Sequence, residues 1–402
     1  MYRIPLNYLV YNKYNGRIGT EVKSFEREYH VLDAEDPADS QLIEKFLYDS
    51  KVDRNEKTMD SLLHDQQQRH GIVTADGVIV DGNRRALLLN RLFKERDDRH
   101  WEYKKVEHCQ YFLAIILPED ATKRDIEQLE TTYQMGEDDK LDYNPIEKYL
   151  KCSDLQQHGF STEDIAGFMG EQHGKVKEYL SILKLMEEYL EMYGYQGIYT
   201  RLEKTEGPFV DLNRYLEAYK NKTKATGIVD WPYDESDISD LKLVCFDYIR
   251  SRYEDKEFRE IARPQEGGCI FAHKGLWDSF FSEHKRVPKD KSTTDELRKL
   301  HPEEPVNQLL RNRDLEWAAA AKGSLEGNLG KYRSKLEDKR DANQPLKLLE
   351  KALDALKAVD SEQETFYTDP NVSQCVRDIN SIIWDMKKSL DRKREHLCQE
   401  SL

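Results

Sequence analysis

Apolar and polar positions divide the chain into an N-terminal third of mixed period and a remainder dominated by the 3.6-residue repeat. From Pro37 onward, Leu42, Ile43, Phe46 and Leu47 fall on one stripe and predict an amphipathic helix, and a second helix is expected from Glu56 to about Gln68. The period then changes. Residues 71–74 read as a short strand, Ala75-Asp76-Gly77 as a tight turn and residues 78–80 as the partner strand of a hairpin. After Asp81-Gly82, Asn83 is expected to cap a helix carrying Ala86, Leu87, Leu89, Asn90 and Phe93. Residues 111–117, rich in β-branched and aromatic side chains, predict a further strand.

A second signature follows at 161–185. Ser161 or Thr162 suits a helix N-cap, with Asp164 in the reciprocal capping position of Ser161. Ile165, Ala166 and Met169 face inward, Gly170 makes a tight turn, and Val176, Tyr179, Leu180 and Leu183 give the spacing of a second helix. Small Ala166, then Gly170, then Val176 is what two helices crossing near a right angle require, so this stretch reads as a helix-turn-helix. Beyond Tyr193 the pattern becomes irregular. A helix is expected over 241–253, a loop with a short strand and a helix within 266–297, and a capping box at Thr293–Glu296 opening a helix that stops at His301-Pro302. Near the end Leu346, Leu349, Leu353 and Leu356, then Ile379, Ile383, Met386 and Leu390, form two heptad-like stripes around FYTDPN, an αα-hairpin. Its seams close either on each other and the middle region or on a second copy.

At 402 residues the chain exceeds one usual core, and two or three domains are expected. The formal charge of −15 excludes general attraction to nucleic acid, so any such contact needs a local surface. The helix-turn-helix region is itself acidic, with five lysines against eight acids between Glu147 and Glu188. Gln172, His173, Lys175 and Lys177, at the start of the second helix, are the residues placed to reach DNA. No apolar run approaches the ~20 residues of a membrane helix, and the start has no signal-peptide pattern, so a cytoplasmic protein is expected. Six cysteines lie far apart without a CxxC pair and read as reduced, mostly buried thiols; Cys269 and His273 have a ligand-like gap but no second pair.

The candidate chemistry lies at the strand-to-helix turn. A strand that ends in Asp81-Gly82 and enters a helix aims backbone N–H groups and the positive end of the helix dipole at one point, where Arg84 and Arg85 add donors. That is the composition of a phosphate or oxyanion site, Gly82 allowing close approach of the ligand. The alternative is that both arginines pair with Asp81, Asp76 or Glu95 on a solvated helix start.

Asp81-Gly82-Asn83-Arg84-Arg85, preceded by the hairpin GIVTADGVIV, resembles the G-[EN]-R-R box of the ParB/sulfiredoxin-like fold. With no cysteine before Cys109, sulfiredoxin chemistry is not expected. DIEQLETTYQMGEDDKLDYNPIEKYL is similar to the ParB segment E-N-x-x-R followed by L-N-P-[IL]-E, which joins the nucleotide pocket to the DNA-binding helices. Asn144-Pro145-Ile146-Glu147 matches its later part, and Glu130 falls on the acidic position. Thr131 and Gln134 replace the usual asparagine and arginine, and an acidic insertion at 136–140 separates the halves.

The resemblance covers about residues 1 to 190, and together with the patterns beyond it the chain is expected to be an α+β protein in four parts, the third of them uncharacterised. These are a small mixed-sheet nucleotide-binding domain (1–125), an all-α helix-turn-helix domain (126–192), a mostly helical middle region (193–300) and a helical C-terminal region with the αα-hairpin (301–402). The function it implies is a nucleotide-responsive DNA-binding protein, homodimeric through its C-terminal helices. Asp81, Gly82, Asn83, Arg84 and Arg85 would hold the phosphates of CTP or another nucleoside triphosphate, with Glu130 assisting Mg or catalysing weak hydrolysis. Alternatives are an enzyme of the same fold, for triphosphate hydrolysis, phosphoryl transfer or DNA cleavage, and a mobile-element or phage-defence scaffold with a vestigial pocket.

Overall fold

Four short strands pair in the order β1-β4-β2-β3: β1 (Tyr2–Pro5), β2 (Gly71–Val73), β3 (Ile79–Asp81) and β4 (Tyr111–Ile116). β4 runs antiparallel to β1, with Tyr2 opposite Ala114, and parallel to β2, with Gly71 opposite Ala114; β2 and β3 are antiparallel. The computed structural model describes residues 1–136, 144–223, 226–251, 258–265, 267–290 and 292–400. All of the acidic insertion but Gly136 lies outside them. The architecture is α+β, a small mixed sheet in a largely helical chain.

Alternation along β4 turns Phe112 and Ala114 into the core, against the helix that follows β3. The Phe112 ring occupies the space beside two glycines. A Cβ on Gly71 would stand 2.2 Å from it and one on Gly82 2.6 Å, so both positions are held to glycine by packing.

The helices of the first third are α1 (Gly19–Glu28), α2 (Pro37–Asp49), α3 (Val52–Asp65), α4 (Asn83–Lys94) and the short α5 (Tyr103–Val106). α2 starts where Asp36 accepts from the Ala38 and Asp39 amides, with Pro37 in the first turn. α4 differs from the expectation at its first residue. Its N-cap is Gly82, at φ 97°, and Asn83 is already helical. The sequence signals anticipated neither β1 nor α1.

α6 (Lys123–Thr131) opens on a Thr122/Asp125 capping box and runs into a π-helical turn at Thr132–Gly136. α7 (Pro145–Gln157), α8 (Thr162–Met169) and α9 (His173–Met192) follow. The NPIE stretch now has a structural meaning. Asn144 caps α7, Pro145 fits its first turn and Ile146 is buried, while Glu147 turns back to cap α1. Its carboxylate accepts from the Gly19 and Thr20 amides, both at 3.0 Å, and from the Thr20 hydroxyl.

The remaining helices are α10 (Glu206–Lys220), α11 (Glu235–Ser251), α12 (Phe258–Ala262), α13 (Lys274–His284), α14 (Thr294–Leu300), α15 (Val306–Lys357), α16 (Glu364–Thr368) and α17 (Pro370–Glu400). The α14 capping box is as expected. The strand expected around Cys269 is absent: residues 267–273 form turns whose Ile270 and Phe271 amides donate to Glu260 and Ile261 of α12. The chain divides into two units, Met1–Ser334 and Lys335–Leu402. In the second, Leu346, Leu349, Leu353, Leu356, Ile383, Met386 and Leu390 are all exposed, so the two stripes do not close on each other.

Burial pushes the Glu147 carboxyl up to about 7 against an ordinary value of 4.5. A folded-state value above the unfolded one means that its contribution to stability is complete below about pH 4.5 and is lost as pH rises through about 7. Glu147→Gln removes this loss. Denaturant melts should show the variant gaining on the natural chain between pH 5 and pH 8; a difference that stays flat across that range contradicts this assignment.

Candidate functional site

The DGNRR turn is tied to the protein itself. Arg84 Nε donates to Asn55 Oδ1 at 2.9 Å and its Nη2 to the Lys51 carbonyl at 3.3 Å. Arg85 Nη2 pairs with Asp81 Oδ2 at 2.8 Å, and its Nη1 donates to the carbonyls of Arg69 and His70. Asn83 Oδ1 accepts from the Asn12 amide at 2.9 Å, and its Nδ2 donates to the Ile79 carbonyl at 2.9 Å. Gly82 makes room for the Phe112 ring. Arg85 thus pairs with Asp81, one of the partners expected in the alternative reading, while Arg84 meets Asn55 and the Lys51 carbonyl; together the two arginines anchor α4 to α3 and the strand ends.

A wide concavity lies beside the hairpin that precedes that turn. A cavity of about 920 Å³ opens between the β2–β3 hairpin, the loop after β4, and helices α6 and α7. Its walls are Val78, Val80, Leu117, Ile126 and Leu155, and its polar floor is Asn12, Glu130 and Lys151. Glu130, 3% exposed, pairs with Lys151 Nζ at 2.8 Å and accepts from Asn12 Nδ2 and Gln134 Nε2, each at 3.2 Å. Burial pushes its carboxyl upward, with Lys151 and Gln134 opposing that shift. Gln134, delivered by the π-helical turn, also donates to the Val80 carbonyl at 3.2 Å. Thus the two residues that depart from the ParB pattern are structural here, since Thr131 is fully buried and bonds back to the Glu127 carbonyl.

Glu130 thus belongs to a candidate site, but not in the role the resemblance gave it. Its carboxylate is committed to an ammonium, and among the described residues no group of three or more His, Cys, Asp or Glu side chains could hold a metal ion. The cavity lining carries Lys23, Lys123 and Lys151 against Asp76, Glu119, Glu127, Glu130 and Asp154. Lys23 pairs with Asp154 at 2.8 Å, and His158 and Lys123 with Glu127 at 2.9 and 3.9 Å. Carboxylates outnumber cations, and each lysine already has a partner. These residues do not fit a magnesium–triphosphate.

Glu147, named with the NPIE stretch, shares a face of α7 with Lys151 and Asp154, which the sequence did not single out. Glu147, Lys151 and Asp154 recur at four and three residues, flanked by apolar Ile146, Leu150 and Leu155. Charges interleaved with an apolar stripe were the available signal that this face meets another charged element.

α8 and α9 are joined by a short turn and pack on each other. Ser161 and Asp164 form the reciprocal capping box, and Gly170 sits in the left-handed region at φ 58°. Gln172, Lys175 and Lys177 are exposed at the start of α9, whose opposite face buries Val176, Tyr179, Ile182 and Leu183. His173 departs from the expectation: Nε2 bonds Thr162 Oγ1 and Glu163 Oε1, each at 2.8 Å, holding it against α8 rather than presenting it outward. Four of the cysteines, Cys109, Cys152, Cys245 and Cys269, are buried, and burial pushes Cys109 and Cys152 up to about 12. No described helix is long and apolar enough to cross a membrane.

Replacing one member of the floor pair strands the other as a buried charge, at a cost of roughly 3–5 kcal/mol, whereas an apolar pair of similar volume is often neutral. Lys151→Met alone should therefore destabilise strongly, and Glu130→Leu combined with Lys151→Met should recover most of the loss in a denaturant melt. A strictly additive double variant contradicts the pairing.

No protein-family model, curated protein or solved structure matches the chain.

Proposed function

We propose that the chain is a DNA-binding protein that acts through its helix-turn-helix, with the cavity at the foot of that module as the seat of a regulatory ligand. The observation that carries this reading is the first turn of α9. Gln172, Lys175 and Lys177 project from a helix whose other face is locked into the core, on a turn fixed by a capping box and a left-handed glycine. The acidic net charge keeps the rest of the surface from holding DNA, so contact is confined to this edge and its salt dependence is shallow.

The cavity connects to that edge through short, packed elements. α6 forms one wall, and the π-helical turn that continues it packs on α8. An occupant that alters the Glu130–Lys151 contact moves α6 against α7, and so biases the α8–α9 pair. The ligand is of a class other than a metal–triphosphate, given the paired lysines and the carboxylate excess.

The apolar stripe of α17 supports a homodimer. Ile382, Ile383, Trp384, Met386 and Leu390 are all at least 48% exposed within one chain, a contiguous surface of the kind that marks association. Two copies would present two recognition helices, which a palindromic site requires.

Two measurements test this. Selection from a random duplex library with the full chain, followed by fluorescence anisotropy, should yield a preferred site, and Lys175→Glu with Lys177→Glu should weaken it by about tenfold or more through lost phosphate contacts. Absence of binding at low salt removes the DNA reading. Light scattering should show Ile383→Asp with Leu390→Asp as a monomer and the natural chain as a dimer; identical masses refute the dimer.

A further inference from the structure

The second unit contains α15 beyond Ser334 and α17, and each of these helices carries an apolar stripe facing water. Leu346, Leu349, Leu353 and Leu356 of α15 are 39 to 60% exposed, and Ile383, Met386 and Leu390 of α17 are 48 to 60% exposed. Both stripes repeat at the alternating three- and four-residue spacing of a seam that packs against a facing helix. A dimer closed by α17 against α17 would cover one stripe and leave the four α15 leucines in water.

Charges beside the seams indicate which helix faces which. With Leu346 and Leu353 at heptad position a and Leu349 and Leu356 at d, Glu350 falls at the flanking position e. On α17, Val376, Ile383 and Leu390 occupy a, Ile379 and Met386 occupy d, and Lys387 falls at e. No acid stands at an e or g position of α17 between Ser373 and His396. Two α17 helices therefore meet without opposite charges on their flanks, in either direction. The end of α15, set antiparallel to α17, places Leu349 opposite Leu390, Leu353 opposite Met386 and Leu356 opposite Ile383, and brings Glu350 beside Lys387 on one flank.

We propose that the end of α15 in one chain pairs antiparallel with α17 of a second copy, and the reverse, so that a closed two-fold bundle buries both stripes of both chains. This pairing rests on the homodimer reading above and adds to it the face of the second copy that covers α17. The apolar layers supply the burial, and the Glu350–Lys387 flank sets the direction.

Light scattering on the full chain carrying Leu349→Asp and Leu353→Asp is the first test. Both positions are exposed, so the circular dichroism of the variant should match that of the natural chain. Its self-association should weaken by about tenfold or more, although α17 is untouched, because carboxylates would enter an apolar seam. A variant as dimeric as the natural chain overturns the exchange and leaves the dimer standing, whereas a monomeric natural chain removes both. Cross-linking is the second test. Leu353→Cys and Met386→Cys are placed in separate full-length chains, one enlarged by a tag, in a Cys375→Ser, Cys398→Ser background. Under mild oxidation the mixture should give a disulfide-linked heterodimer, and neither chain alone a linked pair. Met386→Cys linking to itself, or no heterodimer from the mixture, overturns the proposal.

Discussion

A carboxylate withdrawn from water must be met by donors, and two such groups bind the N-terminal sheet to the helices behind it. Glu130 meets Lys151, Asn12 and Gln134; Glu147 meets the first amides of α1. Neither arrangement adds much net energy, because desolvation offsets most of the attraction. Each does fix geometry, since a slip of either helix would leave a buried charge without partners. The cavity lies where Lys151 of α7 reaches Glu130 of α6.

The Asp81–Arg85 box supports this junction from behind. Asn83 holds the Asn12 loop, Asn12 reaches Glu130, and the two arginines pin α4 to neighbouring backbone. The same residues that suggested a ligand contact in isolation instead form a relay whose far end is the cavity floor. The concavity lies beside Val78 and Val80 of the hairpin, where its lysines are paired with carboxylates and Leu117, Ile126 and Leu155 line it. The DNA contact proposed above would fall on the exposed first turn of α9, at Gln172, Lys175 and Lys177.

Local signals in the sequence carried the hairpin, α2, α4, β4, the α8–α9 turn and the α14 cap, because each rests on short-range rules: alternation, capping boxes and glycine at positive φ. β1 was invisible because four residues are too few to establish a period, Pro5 argues against a strand, and its pairing with β4 spans more than a hundred residues. Only the Asp81–Arg85 pair was local enough to be offered by the sequence. The other partners of the two arginines, Asn55, Lys51, Arg69 and His70, lie 15 to 33 positions away and carry no motif. The cavity depends on side chains from elements far apart in the chain, which periodicity cannot bring together.

The proposed coupling of the sheet to the helix-turn-helix runs through the Glu130–Lys151 pair. Hydrogen exchange on Lys151→Ala tests it most directly. Amide protection should fall together in β3, reached through Gln134 and the Val80 carbonyl, and across α8 and the first turns of α9. Loss of protection confined to α7, with β3 and α8 unchanged, would contradict it.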